Sequence, residues 1–315
     1  MSSLSLENVD ILVIDPDRSV RTTFRNILTD NGCRYITVGS SMEDIEIKFR
    51  LGMPDLLIAD INMADDANLY AFVHGLRHHI VGSNPFMSII ATAWSPTTEE
   101  VRNIIQAGAD DLIIKPMSAN LVIQRIKNQI NARKPFVVTS AYIGPDRRKP
   151  GPDHDRGQHI DPIEVPNTLR AKALSENSVD IQMVQSQIDS CIQKVNLEKL
   201  DRHAYQVTWL VDRLIPSLKS NESKPSTKHQ LNRLLYVVED ISRRMVGTEF
   251  EHVGTLCRSL RDVTQRIIGT QGQVSDKDIE LMAPLAQSIQ RGFDKSDEEA
   301  QRAAKEISNT VAGQN

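Results

Sequence analysis

Leu56-Leu57-Ile58-Ala59-Asp60-Ile61-Asn62-Met63 sets four apolar residues in a row and then an acid. A run that short, apolar at every position, suits a strand covered on both faces of a parallel sheet. Runs of similar length recur at Val9–Ile14, Ser88–Ala91 and Leu112–Ile114, with Arg34–Val38 a weaker strand whose Thr and Val favour extension. Between them the apolar residues fall at helical spacing: Val20, Phe24, Ile27 and Leu28, then Val101, Ile104 and Ile105, and last Leu121, Val122, Ile126 and Ile130. Five strands alternating with five helices in about 125 residues predict an α/β domain, a doubly wound parallel sheet.

In such a sheet ligands gather beyond the carboxyl ends of the strands. Those ends read Asp15-Pro16-Asp17, Asp60-Ile61-Asn62-Met63, Thr92-Ala93 and Lys115-Pro116. Alone, an aspartate closing a strand is commonly a turn former or a helix N-cap. Two carboxylates brought together, however, repel each other and make a site for a hard divalent cation. A carboxylate can also accept a phosphoryl group, with charge developing on the equatorial oxygens.

The four strand ends together resemble the response-regulator receiver family over residues 8–131. The resemblance implies a five-stranded parallel sheet of order 2-1-3-4-5 and a phosphoryl group received on Asp60 from a histidine kinase or phosphotransfer protein. It implies Mg²⁺ held by Asp15, Asp60 and the backbone carbonyl of Asn62. Lys115 would pair with the carboxylate and then the phosphate, and Thr92 would donate its hydroxyl to a phosphate oxygen. Pro116 is similar to the proline that follows the family's lysine, usually across a cis bond. Three positions depart from the family. Pro16 replaces a second acid, which weakens the metal site unless Asp17 swings in. Leu112 stands where the switch aromatic usually lies. Ala64 and Ala67-Asn68 replace the usual proline and acid-glycine.

Residues 132–168 read as a Pro-rich linker or strap, with prolines at 135, 145, 150, 152, 162 and 166. Within it, Tyr142-Ile143-Gly144-Pro145-Asp146-Arg147-Arg148-Lys149 gathers three cations. Paired arginines suit bidentate recognition of an anion. The alternative is a strap that packs through Phe136, Val137 and Tyr142 with its charges in water, and this is the preferred reading.

From Leu169 strand signals vanish. One-sided apolar stripes at Val207–Leu218, Leu231–Ile241, Val253–Ile267 and Ile279–Ile289 predict an all-α helical bundle over 169–313. His203, His229 and His252 are the candidates for a phosphohistidine, but none has the His-x-x-Lys-Gly setting of phosphotransfer domains. Ile241-Ser242-Arg243-Arg244-Met245 is basic, yet no helix-turn-helix accompanies it. A surface for protein contacts is the default.

The net charge of -4 argues against a dedicated nucleic-acid surface. No apolar run approaches the ~20 residues of a membrane span, and Met1–Asp10 lacks a secretory pattern. Cys33, Cys191 and Cys257 lack metal-ligand spacing and fit apolar filling in a reducing cytoplasm. The expectation is a cytoplasmic response regulator, no enzyme beyond phosphorylating and dephosphorylating itself at Asp60, acting on an unknown downstream protein. A homodimer is left open, nucleic acid is not expected as a partner, and the alternatives are a phosphorylation-independent pseudo-receiver scaffold and, less favoured, a DNA-binding regulator.

Overall fold

The apolar runs form strands because each can be covered twice. In the computed structural model, which describes residues 4–63, 69–148, 160–175, 179–220, 225–246, 248, 250–270 and 274–293, they become β1 (Asp10–Ile14), β2 (Tyr35–Gly39), β3 (Leu56–Asp60), β4 (Ser88–Trp94) and β5 (Asp111–Lys115). They pair in parallel in the order β2-β1-β3-β4-β5. The helices between them are α1 (Arg18–Asp30), α2 (Met42–Leu51), α3 (Leu69–Arg77), α4 (Thr98–Ala107) and α5 (Ala119–Asn131). The doubly wound fold is therefore as the sequence pattern predicted, and the strand order is the one the resemblance implied. β4 runs three residues past the expected Ala91, because Thr92, Ala93 and Trp94 continue the ladder against Ile113, Ile114 and Lys115.

Alternate residues of each strand enter opposite cores. Ile11, Val13, Ile58 and Ile90 join Phe24, Val122 and Ile126 on the face of α1 and α5. Leu12, Leu57, Ile89 and Ala91 join Ile45, Val73, Leu76 and Ile104 on the other. Side chains start several helices where the chain leaves the carboxyl ends of strands. Asp17 caps α1, and Ser41 with Asp44 and Thr97 with Glu100 form capping boxes on α2 and α4.

The segment expected as linker or strap is a strap. β6 (Phe136–Val138) and β7 (Ile143–Pro145) form an antiparallel hairpin, and Ile163 returns to bridge Phe136. Phe136 lies between two guanidiniums, Arg77 and Arg133, each 5.1 Å from its ring centre. The strap continues to α6 (Thr168–Leu174), whose Leu169 and Ala173 are buried in the α1–α5 core. Asn167 Nδ2 and Arg170 Nη1 donate to the carbonyls of Gln129 and Ile130 at the end of α5, at 2.8 and 2.9 Å.

This moves the domain boundary. The chain divides into a unit ending at Val195 and a second beginning at Asn196, so residues 169–195 belong with the α/β unit rather than with the helical half. The physical reason is the burial of Leu169 and Ala173, which a sequence stripe starting at Val207 does not reveal. The division falls within α7 (Ile181–Lys219).

The second unit is built from the rest of α7 with α8 (Pro225–Arg244), α9 (Val253–Gly269) and α10 (Asp276–Gly292). Leu210, Leu214, Leu234, Val238, Leu256, Leu260, Met282 and Ile289 meet in its core. The four predicted stripes are those buried faces. Among the described residues no helix is long and apolar enough to cross a membrane.

Candidate functional site

Four strand ends converge on one pocket. Asp15 follows β1, Asp60 closes β3, Thr92 lies in register beside Asp60 on β4, and Lys115 closes β5 before a cis Lys115-Pro116 bond. All four are buried, at 1%, 3%, 1% and 3% exposure in that order. Lys115 Nζ donates to Asp15 Oδ2 at 2.7 Å and also to Asp60 Oδ2. The second oxygen of Asp60 accepts the Asn62 N–H at 2.7 Å, and that of Asp15 accepts the Asp17 N–H at 2.9 Å.

Burial makes the charge count decisive. Two carboxylates face one ammonium, so the pocket carries an excess negative charge away from water, which is costly unless a cation compensates it. Burial raises the Asp60 carboxyl above its ordinary pKa, while the Lys115 hydrogen bond and the Asn62 N–H pull the other way. The Thr92 hydroxyl is buried and has no hydrogen-bond partner, an arrangement that costs stability and makes sense where a ligand oxygen arrives.

The donor set fits Mg²⁺ better than a metal that needs a full protein cage. Among the described residues no three His, Cys, Asp or Glu side chains form a metal cluster. Mg²⁺ binds through one or two carboxylates, keeps several waters and uses phosphate oxygens as ligands. Asp15, Asp60 and the Asn62 carbonyl are such a set. Asp17 is placed elsewhere: its Oδ1 accepts the Ser19 N–H and hydroxyl, both at 2.7 Å, and those bonds lower its pKa. To join the pocket it would have to give up the α1 cap.

Two residues near the site carried no sequence signal. Trp94, half exposed, has its ring 5.3 Å from Lys115 Nζ. Tyr70, on α3, has its phenol pKa raised by burial and then by the charges of Glu100 and Asp60. Leu112 packs partly buried against the α2–α4 core. Ala64, Ala67 and Asn68 lie outside the described residues.

Residues 11–127 match the family described as the response regulator receiver domain. This part of the chain is a receiver domain. Chemotaxis protein CheY of Bacillus subtilis (strain 168) is 27% identical over 121 residues, which are 38% of this chain and 97% of that protein. Response regulator MprA of Mycobacterium leprae (strain TN) is 29% identical over 125 residues, 40% of this chain and 52% of that protein. The matched part thus spans about half of MprA. A solved structure of a putative response regulator from Chloroflexus aurantiacus J-10-fl covers 38% of this chain and 95% of its own, at 21% identity and a TM-score of 0.34.

The remaining sequence candidates fall outside the receiver pocket. His203 is fully buried, with Nε2 2.9 Å from Asp240 Oδ2, so it is out of reach of a phosphoryl donor. His229 is exposed and His252 half-buried. In the Tyr142–Arg148 motif the arginines are engaged. Arg148 donates to Asp146 through Nε and Nη2, at 2.9 and 2.7 Å, and Arg147 Nη2 donates to the carbonyls of Ala109 and Asp110 at 2.6 and 3.1 Å. That disposition favours the strap over anion binding. Lys149 lies outside the described residues. The three cysteines are buried, and burial pushes the thiols of Cys33 and Cys191 up to about 11 and that of Cys257 higher still, as suits apolar filling.

Proposed function

We propose that this chain is a cytoplasmic two-component response regulator of bacterial type, in which Asp60 receives a phosphoryl group from a histidine kinase or phosphotransfer protein and the helical unit acts by protein contact. The observation that carries this reading is the buried Asp15–Lys115–Asp60 cluster beside the unpartnered Thr92 hydroxyl.

In the transfer an Asp60 oxygen bonds to phosphorus as the phosphorus–nitrogen bond of the donor phosphohistidine breaks, the electron pair leaving with the imidazole. The acyl phosphate removes one carboxylate charge and brings about two negative charges of its own. Against Asp15 and Lys115 this leaves the pocket about two charges negative. Asp15, Asp60 and the Asn62 carbonyl would hold Mg²⁺, which would supply positive charge against the phosphoryl oxygens. Lys115 moves its ammonium from carboxylate to phosphate as a compact point charge. Thr92 then donates to a phosphate oxygen and draws the segment before α4 inward, shifting a pre-existing equilibrium. No other enzyme activity is proposed.

A second reading is a pseudo-receiver that works without phosphate, and Pro16 favours it by withholding a carboxylate. Intact-mass measurement after incubation with acetyl phosphate and Mg²⁺ separates the two. The first reading expects a phosphoryl mass gain in the wild type and none in Asp60→Asn; no gain in either supports the second.

A further inference from the structure

The end of α4 opposite the phosphoacceptor pocket is fastened to the strap. Gly108 caps α4 in the left-handed region at φ 102°, and a Cβ there would lie 2.7 Å from the Ile143 carbonyl oxygen. A Cβ on Gly144 would lie 2.9 Å from the Gly108 Cα. Two glycines therefore let the backbone of the α4–β5 turn rest directly on β7. Arg147 closes the contact by donating to the carbonyls of Ala109 and Asp110.

From the other side two arginines bond the same turn. Arg77, fully buried, donates to the Gly108 carbonyl at 2.8 Å and to Asp110 Oδ2 at 2.8 Å, and Arg133 donates to Asp110 Oδ1 at 2.8 Å. The hairpin beyond Arg147 is apolar on its inner side. Phe136, Val138, Ile143 and Ile163 are buried in one cluster with Ile188, Cys191 and Val195 of α7, within the first unit.

α4 is a ten-residue helix whose first turn is fixed by the Thr97–Glu100 capping box, five residues after Thr92. Packed elements move as rigid bodies by an ångström or two rather than deforming continuously. A shift at the Thr92 end of α4 must therefore reappear at its Gly108 end. We propose that Arg147 and β7 couple α4 to α7, so that the state of the Asp60 pocket is read out in the Ile188–Val195 turns of α7. The coupling rests on the receiver reading for its physiological trigger, but it can be tested without it.

The experiment is amide hydrogen exchange of Ile188–Val195 in the full chain, with two triggers. One is beryllofluoride with Mg²⁺, a phosphoryl mimic; the other is Asp60→Asn, which removes a buried carboxylate from Lys115 whether or not Asp60 is ever phosphorylated. Each is repeated in Arg147→Ala, an exposed residue outside the pocket, and in Arg148→Ala, which loses bonds only inside the strap. Coupling energies of the usual size predict a change in exchange of about fivefold or more on Asp60→Asn, kept in Arg148→Ala and lost in Arg147→Ala. The coupling is overturned if Asp60→Asn leaves these amides unchanged, if Arg147→Ala responds like the wild type, or if Arg148→Ala abolishes the response equally. A response to Asp60→Asn but none to beryllofluoride keeps the coupling and counts against phosphorylation at Asp60.

Discussion

Replacing Thr92 by valine separates stability from signalling at a single atom. Thr92 is 1% exposed and its hydroxyl has no partner. A buried hydroxyl without a hydrogen bond costs about 1–3 kcal/mol, and valine keeps the branched shape that a central strand accepts. Thr92→Val should therefore stabilise the receiver by about 1 kcal/mol. With a urea m-value of about 2 kcal/mol/M, the unfolding midpoint rises by about 0.5 M. Trp94 fluorescence reports this unit alone in a Trp209→Phe background, since the sequence holds two tryptophans and the other lies in the second unit. In the phosphorylated state the same change removes a hydrogen bond to a charged oxygen, worth about 1.5–3 kcal/mol. The steady-state level of phosphoprotein under acetyl phosphate should then fall by about tenfold or more. A midpoint that drops on substitution would refute the reasoning, because the hydroxyl would then be making a bond in the resting protein. So would an unchanged phosphoprotein level.

Three other substitutions test separate parts of the account. Arg77→Met strands the Gly108 and Pro85 carbonyls, while Met87 and Asp110 keep Arg133. Burial lowers the Arg77 pKa only to about 10, so it is charged at neutral pH; each stranded carbonyl costs about 1–3 kcal/mol, and the midpoint in the same urea assay should fall by about 1–3 M. Pro16→Asp returns a carboxylate to the end of β1 and should tighten Mg²⁺ by about tenfold, read by titrating Trp94 fluorescence. In the helical unit, burial, then the Arg244 guanidinium, lowers the Lys199 pKa from 10.5 to about 7. Between pH 7 and 10 the unfolded chain therefore holds the Lys199 proton more than the folded one does, and stability rises with pH across that window and is flat below it. The slope is at most about 1.4 kcal/mol per pH unit. Lys199→Met should remove it, as measured by urea midpoints in Trp94→Phe read through Trp209.

The receiver half was legible because its chemistry sits at the ends of runs that announce themselves. Leu56–Ala59 has to be a buried strand, and Asp60 after it has to lie at a carboxyl edge, where Asp15, Thr92 and Lys115 also fall. Asp17 shows the limit of that logic. An acid beside a pocket and an acid capping a helix look alike in sequence, and here Ser19 two residues on decides for the cap. Arg77 gave no signal at all, since an arginine on a helix is normally a solvated residue, and its four acceptors come from two separate stretches of chain, 85–87 and 108–110. The same holds for His203 and Asp240, which are 37 residues apart and meet only when α7 packs on α8. Proline content in 132–168 suggested a spacer or strap, but Leu169 and Ala173 are too few to form a stripe, so the docking of α6 and the boundary at Val195 emerge only from tertiary packing.

The central claim is that Asp60, and no other side chain, becomes an acyl phosphate. An acyl phosphate is cleaved by hydroxylamine, which leaves a hydroxamate on the residue that carried it. After phosphorylation with acetyl phosphate and Mg²⁺, hydroxylamine treatment and peptide mapping should find the hydroxamate at Asp60 in the wild type and nowhere in Asp60→Asn. A hydroxamate at Asp15 or Asp17, or phosphate that resists hydroxylamine and maps to a histidine of the helical unit, would contradict the account.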